Sequence, residues 1–129
     1  RRINSTATLA DRAHSHLEVA RAEATLRSAR AFYYQSIEAA WLVAEAGEKV
    51  SIDQRRDIRL ATTHAVEASI KTVDAMYTLG GGSAVYADSA LQRHFRDVHM
   101  TSQHIMVAPS TLETVGRLYL GVEAQTATL

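Results

Sequence analysis

Apolar residues recur at helical spacing through most of this chain, and short polar or glycine-rich breaks separate the repeats. From about Ala13 to Ala46 they form two stripes on one long predicted helix. The first stripe contains Leu17, Ala20, Ala24, Ala31, Tyr34 and Trp41, and the second contains Val19, Leu26, Tyr33, Ile37, Ala40 and Ala44. Two apolar stripes on one helix predict that it packs against more than one neighbour.

A second long helix is predicted from Ile52 to about Leu79. It opens with a capping box, because Gln54 follows Ser51 at the third position. One apolar stripe contains Ile58, Ala61, Ala65, Ala68, Thr72, Ala75 and Leu79, and another contains Val66, Ile70, Val73 and Tyr77. Since only a short connection separates them, the two long helices are expected to form an antiparallel hairpin.

Residues that favour helix ends bound these two elements. Asp11 is a candidate N-cap for the first helix, and Gly47 is a candidate stop just after its last turn. The second helix meets the consecutive glycines Gly80–Gly82, of which the first is expected to end it.

Two shorter helices are predicted after the glycines. The pair Asp88–Ser89 offers an N-cap for the first of them. Its apolar positions are Leu91, Phe95, Val98 and Ile105. The segment Ser110–Glu113 matches a capping box that opens the second, which Gly121 is expected to end. The sequence therefore predicts an all-α, up-down four-helix bundle with two long and two shorter helices.

Composition restricts the classes of function. The chain has 129 residues, with 14 Lys and Arg against 14 Asp and Glu, so we expect one domain without a net field that attracts nucleic acid or anionic membranes. The lack of cysteine excludes disulfides, thiolate metal sites and cysteine nucleophiles, and it fits a cytoplasmic protein. No apolar run is long enough for a membrane span, and the N-terminus lacks the pattern of a secretory signal.

The histidines do not predict a metal site. His94, His99 and His104 recur every five residues, so they rotate around a helix and do not share one face. Each could be a surface residue or a hydrogen-bonded core residue. A single well-placed imidazole can nevertheless donate or accept a proton near neutral pH.

The glycine turn, Gly80–Ser83, allows positive φ angles and close approach of another group to the backbone. That group could be a helix, another subunit or a phosphate-bearing ligand. The turn is not a P-loop, because no Gly-Lys-Ser/Thr follows. It is not a dinucleotide-binding fingerprint either, because no predicted strand precedes it.

Three segments resemble the C-terminal helical domain of the acyl-CoA dehydrogenase superfamily. The most specific is LGGGSAVYADSALQRHFRDVHMTSQH, from Leu79 to His104, which precedes a helix ending in GRLYLG. LADRAHSH and ARAEATLRSAR resemble the start of the domain, so the resemblance covers nearly the whole chain. It is closest to the branch of two-component flavin-dependent monooxygenases, which hydroxylate aromatic, phenolic or sulfur substrates with reduced flavin and O2.

The resemblance implies a parent enzyme of three domains. Residues 1–129 would form the C-terminal helical bundle, while an N-terminal helical domain and a middle β-barrel are absent from this chain. Flavin, as FMN or FAD, is expected between the barrel and the helical bundles, including the bundle of a neighbouring subunit. The implied partners are further copies in a dimer or tetramer, a separate flavin reductase and a small-molecule substrate, with neither nucleic acid nor membrane.

The resemblance also implies catalytic residues. In acyl-CoA dehydrogenases the corresponding helix continues into Tyr-Glu-Gly-Thr, whose Glu is often the base for the α-proton, whereas Gln103–Val107 contains no carboxylate. In the monooxygenase branch a histidine near this position faces the flavin ring. His104 is therefore the first catalytic candidate and His99 the second, either of which could stabilise developing negative charge on oxygen.

The resemblance assigns the glycine turn to the cofactor. Gly80, Gly81, Gly82 and Ser83 are the flavin-binding candidates, because the turn resembles a segment that approaches the flavin of an adjacent subunit. Arg96 and Asp97 match an Arg-Asp pair of the family, which we interpret as structural.

Together these observations favour a flavin-dependent monooxygenase that hydroxylates a small organic substrate with reduced flavin and O2. An acyl-CoA dehydrogenase that oxidises an acyl thioester is the alternative enzyme. A catalytically inactive helical oligomerisation module is the alternative outside catalysis. The isolated 129 residues are expected to self-associate and to be inactive without the missing domains.

Overall fold

The computed structural model describes residues 8–127 and residue 129, which form four α-helices and no strand. The helices are α1 (Ala13–Glu45), α2 (Ile52–Gly80), α3 (Ala90–Thr101) and α4 (Pro109–Tyr119). Short 3-10 turns at Leu9–Asp11, Gly81–Val85 and Ile105–Val107 precede α1, α3 and α4. The predicted all-α fold with two long and two shorter helices is confirmed.

Helix α2 is the centre of the fold. It packs along α1 as the second arm of the predicted hairpin, and it also contacts α3 and α4. The buried residues on α1 are small, namely Ser15, Ala22, Ala29, Ser36 and Ala40. The first four recur every seven residues, and Ala61 and Ala68 on α2 keep the same spacing. The two long helices therefore meet along a heptad seam of small side chains that lets their axes approach closely.

Apart from the buried Ala40, the predicted apolar stripes of α1 do not form this seam. Leu17, Tyr34 and Trp41 are 56%, 56% and 65% exposed, and Val19 and Leu26 are exposed as well. The hydrophobic pattern missed the seam because two of its members are serines, whose hydroxyl groups count as polar. Ser36 satisfies its hydroxyl within the helix by donating to the Phe32 carbonyl at 2.9 Å, which makes burial inexpensive.

Several helix ends follow the local sequence signals. The Ser51–Gln54 capping box is confirmed, since Gln54 N–H donates to Ser51 Oγ at 3.1 Å and Ser51 N–H donates to Gln54 Oε1 at 2.9 Å. Gly47 and Gly121 follow α1 and α4 with φ of 75° and 66°. These are the left-handed positions that glycine tolerates after a helix.

Other predicted caps are wrong. Arg12, not Asp11, is the N-cap of α1. Asp11 ends the preceding 3-10 turn, where its carboxylate accepts from Thr8 Oγ1 at 2.6 Å and from Thr8 N–H at 2.8 Å. These two hydrogen bonds from Thr8 lower the pKa of the Asp11 carboxyl, because they stabilise its charged form.

The ends of the shorter helices also differ from the prediction. Helix α4 begins at Pro109 with Ala108 as N-cap, so the Ser110–Glu113 segment lies inside the helix. Proline suits that first position because its missing N–H would have no helical partner. Helix α3 ends at Thr101, so Ile105 belongs to the following 3-10 turn.

Polar contacts hold α4 on α2. The Arg56 guanidinium lies 4.1 Å from the ring centroid of Tyr119, and Tyr119 Oη donates to Asp57 Oδ1 at 3.1 Å. The hydrogen bond from Arg56 to Asp57 raises the pKa of Arg56. Deeper in the interface, Thr63 Oγ1 lies 3.0 Å from Thr111 Oγ1. Helix α4 in turn fixes the segment that connects it to α3, where the first catalytic candidate lies.

Candidate functional site

His104 lies just beyond the end of α3, as the N-cap of the 3-10 turn Ile105–Val107. The backbone reaches this position through a tightening last turn, in which His104 N–H donates to the Thr101 carbonyl at 3.2 Å. The imidazole folds back over its own turn, so that Nδ1 accepts from Met106 N–H at 3.2 Å. The side chain is exposed, and its Nε2 has no hydrogen-bond partner among the described residues.

His99 lies in the last turn of α3 and is held from two sides. Its Nε2 is 2.9 Å from Asp74 Oδ1 on α2. The centroid of its ring lies 4.6 Å from that of Phe95, with the two rings tilted by 53°, and the Phe95 centroid lies 4.5 Å from that of Tyr77. This second catalytic candidate is therefore built into the contact between α2 and α3, with one ring nitrogen already engaged.

The structural reason for a glycine differs among Gly80, Gly81 and Gly82. A Cβ on Gly80 would lie 2.9 Å from Leu91 Cδ1 and 3.1 Å from Ala84 Cβ, so a side chain at Gly80 would crowd α3 and the 3-10 turn. Gly81 has φ 57° and ψ −145°, a region that side chains rarely adopt. Gly82 has neither constraint, since an added Cβ would meet nothing within 4 Å. Of the three, Gly82 is the one that no contact within the described residues explains, and its backbone is open to an approaching group.

Ser83 completes the glycine turn. Its hydroxyl donates to the Gly80 carbonyl at 2.7 Å, which closes the turn on itself. The hydroxyl oxygen keeps lone pairs that can accept from outside. The turn borders a groove of about 660 Å³ between the start of α1 and the end of α2. Most of its lining is apolar, including Leu9, Val19, Met76, Leu79 and Leu91.

The structure does not bring all the candidates together. Gly80–Ser83 precedes α3 and His104 follows it, and the 12 residues of α3 span about 18 Å. His99 and His104 share the C-terminal end of α3, away from the glycine turn. The glycine turn and the two histidines therefore do not form one compact site within this chain.

Arg96 and Asp97 lie on the solvent side of α3, where Arg96 Nε is 3.6 Å from Asp97 Oδ1. Both side chains are exposed, and the contact joins neighbouring residues of one helix. Such exposed pairs contribute little to stability.

Sequence reasoning missed Asp74 and Arg59, which both hold the His99–Met106 region. Arg59 Nη1 donates to the Met106 carbonyl at 2.9 Å. The predicted α2 stripe contains Val66, Ile70, Val73 and Tyr77. Arg59 lies seven residues before its first member, and Asp74 directly follows Val73. A charged residue at an apolar position of a helix was the available signal.

Residues 8–127 and 129 contain no candidate metal site and no candidate membrane-spanning helix. No group of three or more His, Cys, Asp or Glu side chains in this part of the chain is arranged to hold a metal ion. None of the described helices is both long and apolar enough to cross a membrane.

Residues 1–109 match the family described as acyl-CoA dehydrogenase, C-terminal domain. The chain belongs to this family. The match includes α1, α2, α3 and the turn that follows, and therefore every candidate residue of this acyl-CoA dehydrogenase-type domain.

The curated relatives of this domain are monooxygenases and a hydroxylase. It is 36% identical over 119 residues to an indole-3-acetate monooxygenase of Pseudomonas putida, covering 92% of this chain and 31% of the relative. It is 30% identical over 112 residues to a pigment production hydroxylase of Rhodococcus erythropolis, covering 86% and 28%. The chain thus spans about a third of the length of these relatives.

A solved structure confirms the fold of the acyl-CoA dehydrogenase-type domain. The crystal structure of the HsaA monooxygenase from M. tuberculosis superimposes with a TM-score of 0.85, covering 93% of this chain and 32% of that one. The two sequences are 20% identical over this likeness, so it supports the architecture alone.

Proposed function

We propose that this domain is the helical part of a flavin-dependent monooxygenase that hydroxylates a small aromatic substrate with reduced flavin and O2. The observation that carries the proposal is the segment after α3, where an exposed imidazole stands without a carboxylate from Thr101 to Ala108. Removing an α-proton from a thioester needs a base within hydrogen-bond reach. His104 instead suits the stabilisation of negative charge on oxygen by hydrogen bonding.

The names of the relatives support the substrate class. Indole-3-acetate monooxygenases of Pseudomonas putida and Acinetobacter baumannii are 36% and 29% identical to this chain. We therefore infer an indole-type or related aromatic compound as substrate. The residues that select it belong to the part of the protein outside this chain.

The glycine turn is proposed to contact flavin. Its fit rests on Gly82, whose backbone is open and whose lack of a side chain no contact within the described residues explains. When bound, reduced flavin would supply the electrons that activate oxygen. Since about 18 Å of helix separates the turn from His104, we propose that the two ends of α3 serve the flavin sites of two neighbouring subunits.

Assembly of several copies is part of the same proposal. Helix α1 has exposed apolar faces in the described part of the chain, where Leu17, Tyr34 and Trp41 are each more than half exposed. Large exposed apolar areas mark interaction surfaces. We propose that these faces pack against other copies of the protein or against its own further domains, and that a separate reductase delivers the reduced flavin.

The decisive experiment uses the full-length protein. It should consume O2 when supplied with chemically reduced flavin and an indole-type substrate, and it should insert one oxygen atom from labelled O2 into the product. It should not reduce an electron acceptor when given acyl-CoA. The reverse pattern would establish the dehydrogenase alternative, and neither activity would favour the oligomerisation module.

A further inference from the structure

Arg59 is a buried cation beneath the turn that carries His104. The residue is only 9% exposed, and its Nη1 donates to the Met106 carbonyl at 2.9 Å. A buried guanidinium is tolerated only when hydrogen bonds replace its hydration, and its planar fork gives those bonds a fixed direction. Because Arg59 lies in α2, this contact fixes the Ile105–Val107 turn to the helix that packs against the other three.

The same residue of that turn contacts the His104 imidazole. The amide of Met106 donates to His104 Nδ1 at 3.2 Å, while its carbonyl accepts from Arg59. An N–H can donate only to the ring nitrogen that carries no proton. In the neutral imidazole the proton must therefore be on Nε2, the atom that is exposed and has no partner among the described residues.

We propose that Arg59 is a positioning residue that, through Met106, holds His104 as the Nε2–H tautomer and so makes it a hydrogen-bond donor. The inference rests on the proposed function, in which His104 meets negative charge developing on oxygen. An outward N–H serves that task, whereas a bare nitrogen would act as a base. The hydrogen bond from Arg59 to the Met106 carbonyl also explains why a charged residue occupies an apolar position of α2.

The neighbouring Arg55 provides a matched control. It lies one helical turn before Arg59 on α2, and its Nη2 donates to the carbonyls of Thr126 and Leu129 at 2.9 and 3.1 Å. Arg55 therefore also holds an irregular segment by its carbonyls, but not the segment of His104. A general loss of stability should follow from either change, whereas the tautomer should respond only to Arg59.

The test is nitrogen NMR of the full-length protein labelled with 15N-histidine, at a pH where imidazoles are neutral. The His104 signals are assigned by their loss in His104→Gln. Wild type and Arg55→Met should show Nε2–H alone, and Arg59→Met should show a mixture with Nδ1–H. In Arg59→Lys, which keeps a charged donor, the Nδ1–H fraction should lie between those two.

An Nδ1–H signal from His104 in the wild-type protein would overturn the tautomer assignment. Nε2–H alone in the Arg59 variants would overturn the positioning role of Arg59. Should Arg59→Met fail to fold, Arg59→Lys decides alone, and a spectrum like that of wild type counts against the proposal. Hydroxylation is measured in parallel. Absence of hydroxylation in the wild type would refute the proposed function. Hydroxylation that does not depend on His104 would refute only the catalytic role of His104, and in both cases the tautomer assignment would stand.

Discussion

Asp74 Oδ1 lies 2.9 Å from His99 Nε2, and this contact joins α2 to the end of α3, close to His104 in the sequence. The two side chains are 44% and 40% exposed, so water screens their attraction. We expect Asp74→Ala to lower the free energy of unfolding by about 0.5–1 kcal/mol. Denaturant unfolding of the full-length protein measures this. Glu38→Ala is the control, because Glu38 is exposed and forms no ion pair within the described residues. Equal effects of the two changes on the free energy of unfolding would show that the Asp74–His99 contact does not stabilise the fold.

The glycine turn offers a matched pair of substitutions. Gly81→Ala should destabilise the fold by about 1–3 kcal/mol, because φ of 57° and ψ of −145° suit glycine alone. Gly82→Ala has free space for its methyl group and should leave thermal stability unchanged. It should nevertheless weaken flavin binding about tenfold, a cost of roughly 1.4 kcal/mol. Flavin titration of both variants checks this, and unchanged affinity in Gly82→Ala would remove the turn from the cofactor site.

Substitutions of His104 distinguish donor from base. A glutamine amide reaches the position of Nε2 and can donate there, whereas asparagine is too short to do so. His104→Ala and His104→Asn should therefore lower kcat about 100-fold, and His104→Gln should retain clearly more activity. Flavin affinity should stay near that of wild type in all three. Steady-state hydroxylation assays measure the series, and equal losses for glutamine and asparagine would argue against the donor role.

The seam between the long helices predicts a contrast between two alanines of α1. Ala29 is 2% exposed and lies on the seam, whereas Ala31 is exposed. Ala29→Leu should destabilise the protein by about 1–3 kcal/mol, because a larger side chain forces the helices apart. Ala31→Leu adds the same atoms outside the seam and should not separate α1 from α2. Thermal unfolding of both variants tests the contrast, and equal midpoints would contradict the seam.

The exposed apolar faces of α1 predict self-association. Replacing Tyr34 and Trp41 together by glutamate should shift the full-length protein to smaller species in sedimentation velocity, because charge is costly to bury in an interface. Helix content should be preserved, since both side chains are more than half exposed in this chain. Gln35→Glu introduces charge at an exposed position between them and serves as the control. An unchanged sedimentation profile would place the subunit interface elsewhere.

Local signals in the sequence were sufficient where a few neighbouring residues satisfy each other. The Ser51–Gln54 capping box and the glycines after α1 and α4 were predicted because their hydrogen bonds and φ angles involve the adjacent turn alone. The number and length of the helices followed from periodicity for the same reason. Asp11 shows the limit, because its carboxylate turned back to Thr8 and left the cap of α1 to Arg12.

The arrangement of the candidate site depends instead on contacts between distant residues. Arg59 and Met106 are 47 positions apart, and Asp74 and His99 are 25 positions apart, so no sequence window contains either pair. The residues themselves predict an all-α chain and mark His104 and the glycine turn as candidates. Their separation follows from the predicted helix between them, whereas the anchoring of the His104 turn by Arg59 and of His99 by Asp74 arises only when α2 packs against the later helices. Packing decides these features because burial and the direction of a hydrogen bond depend on neighbours in space, which periodicity along the chain does not specify.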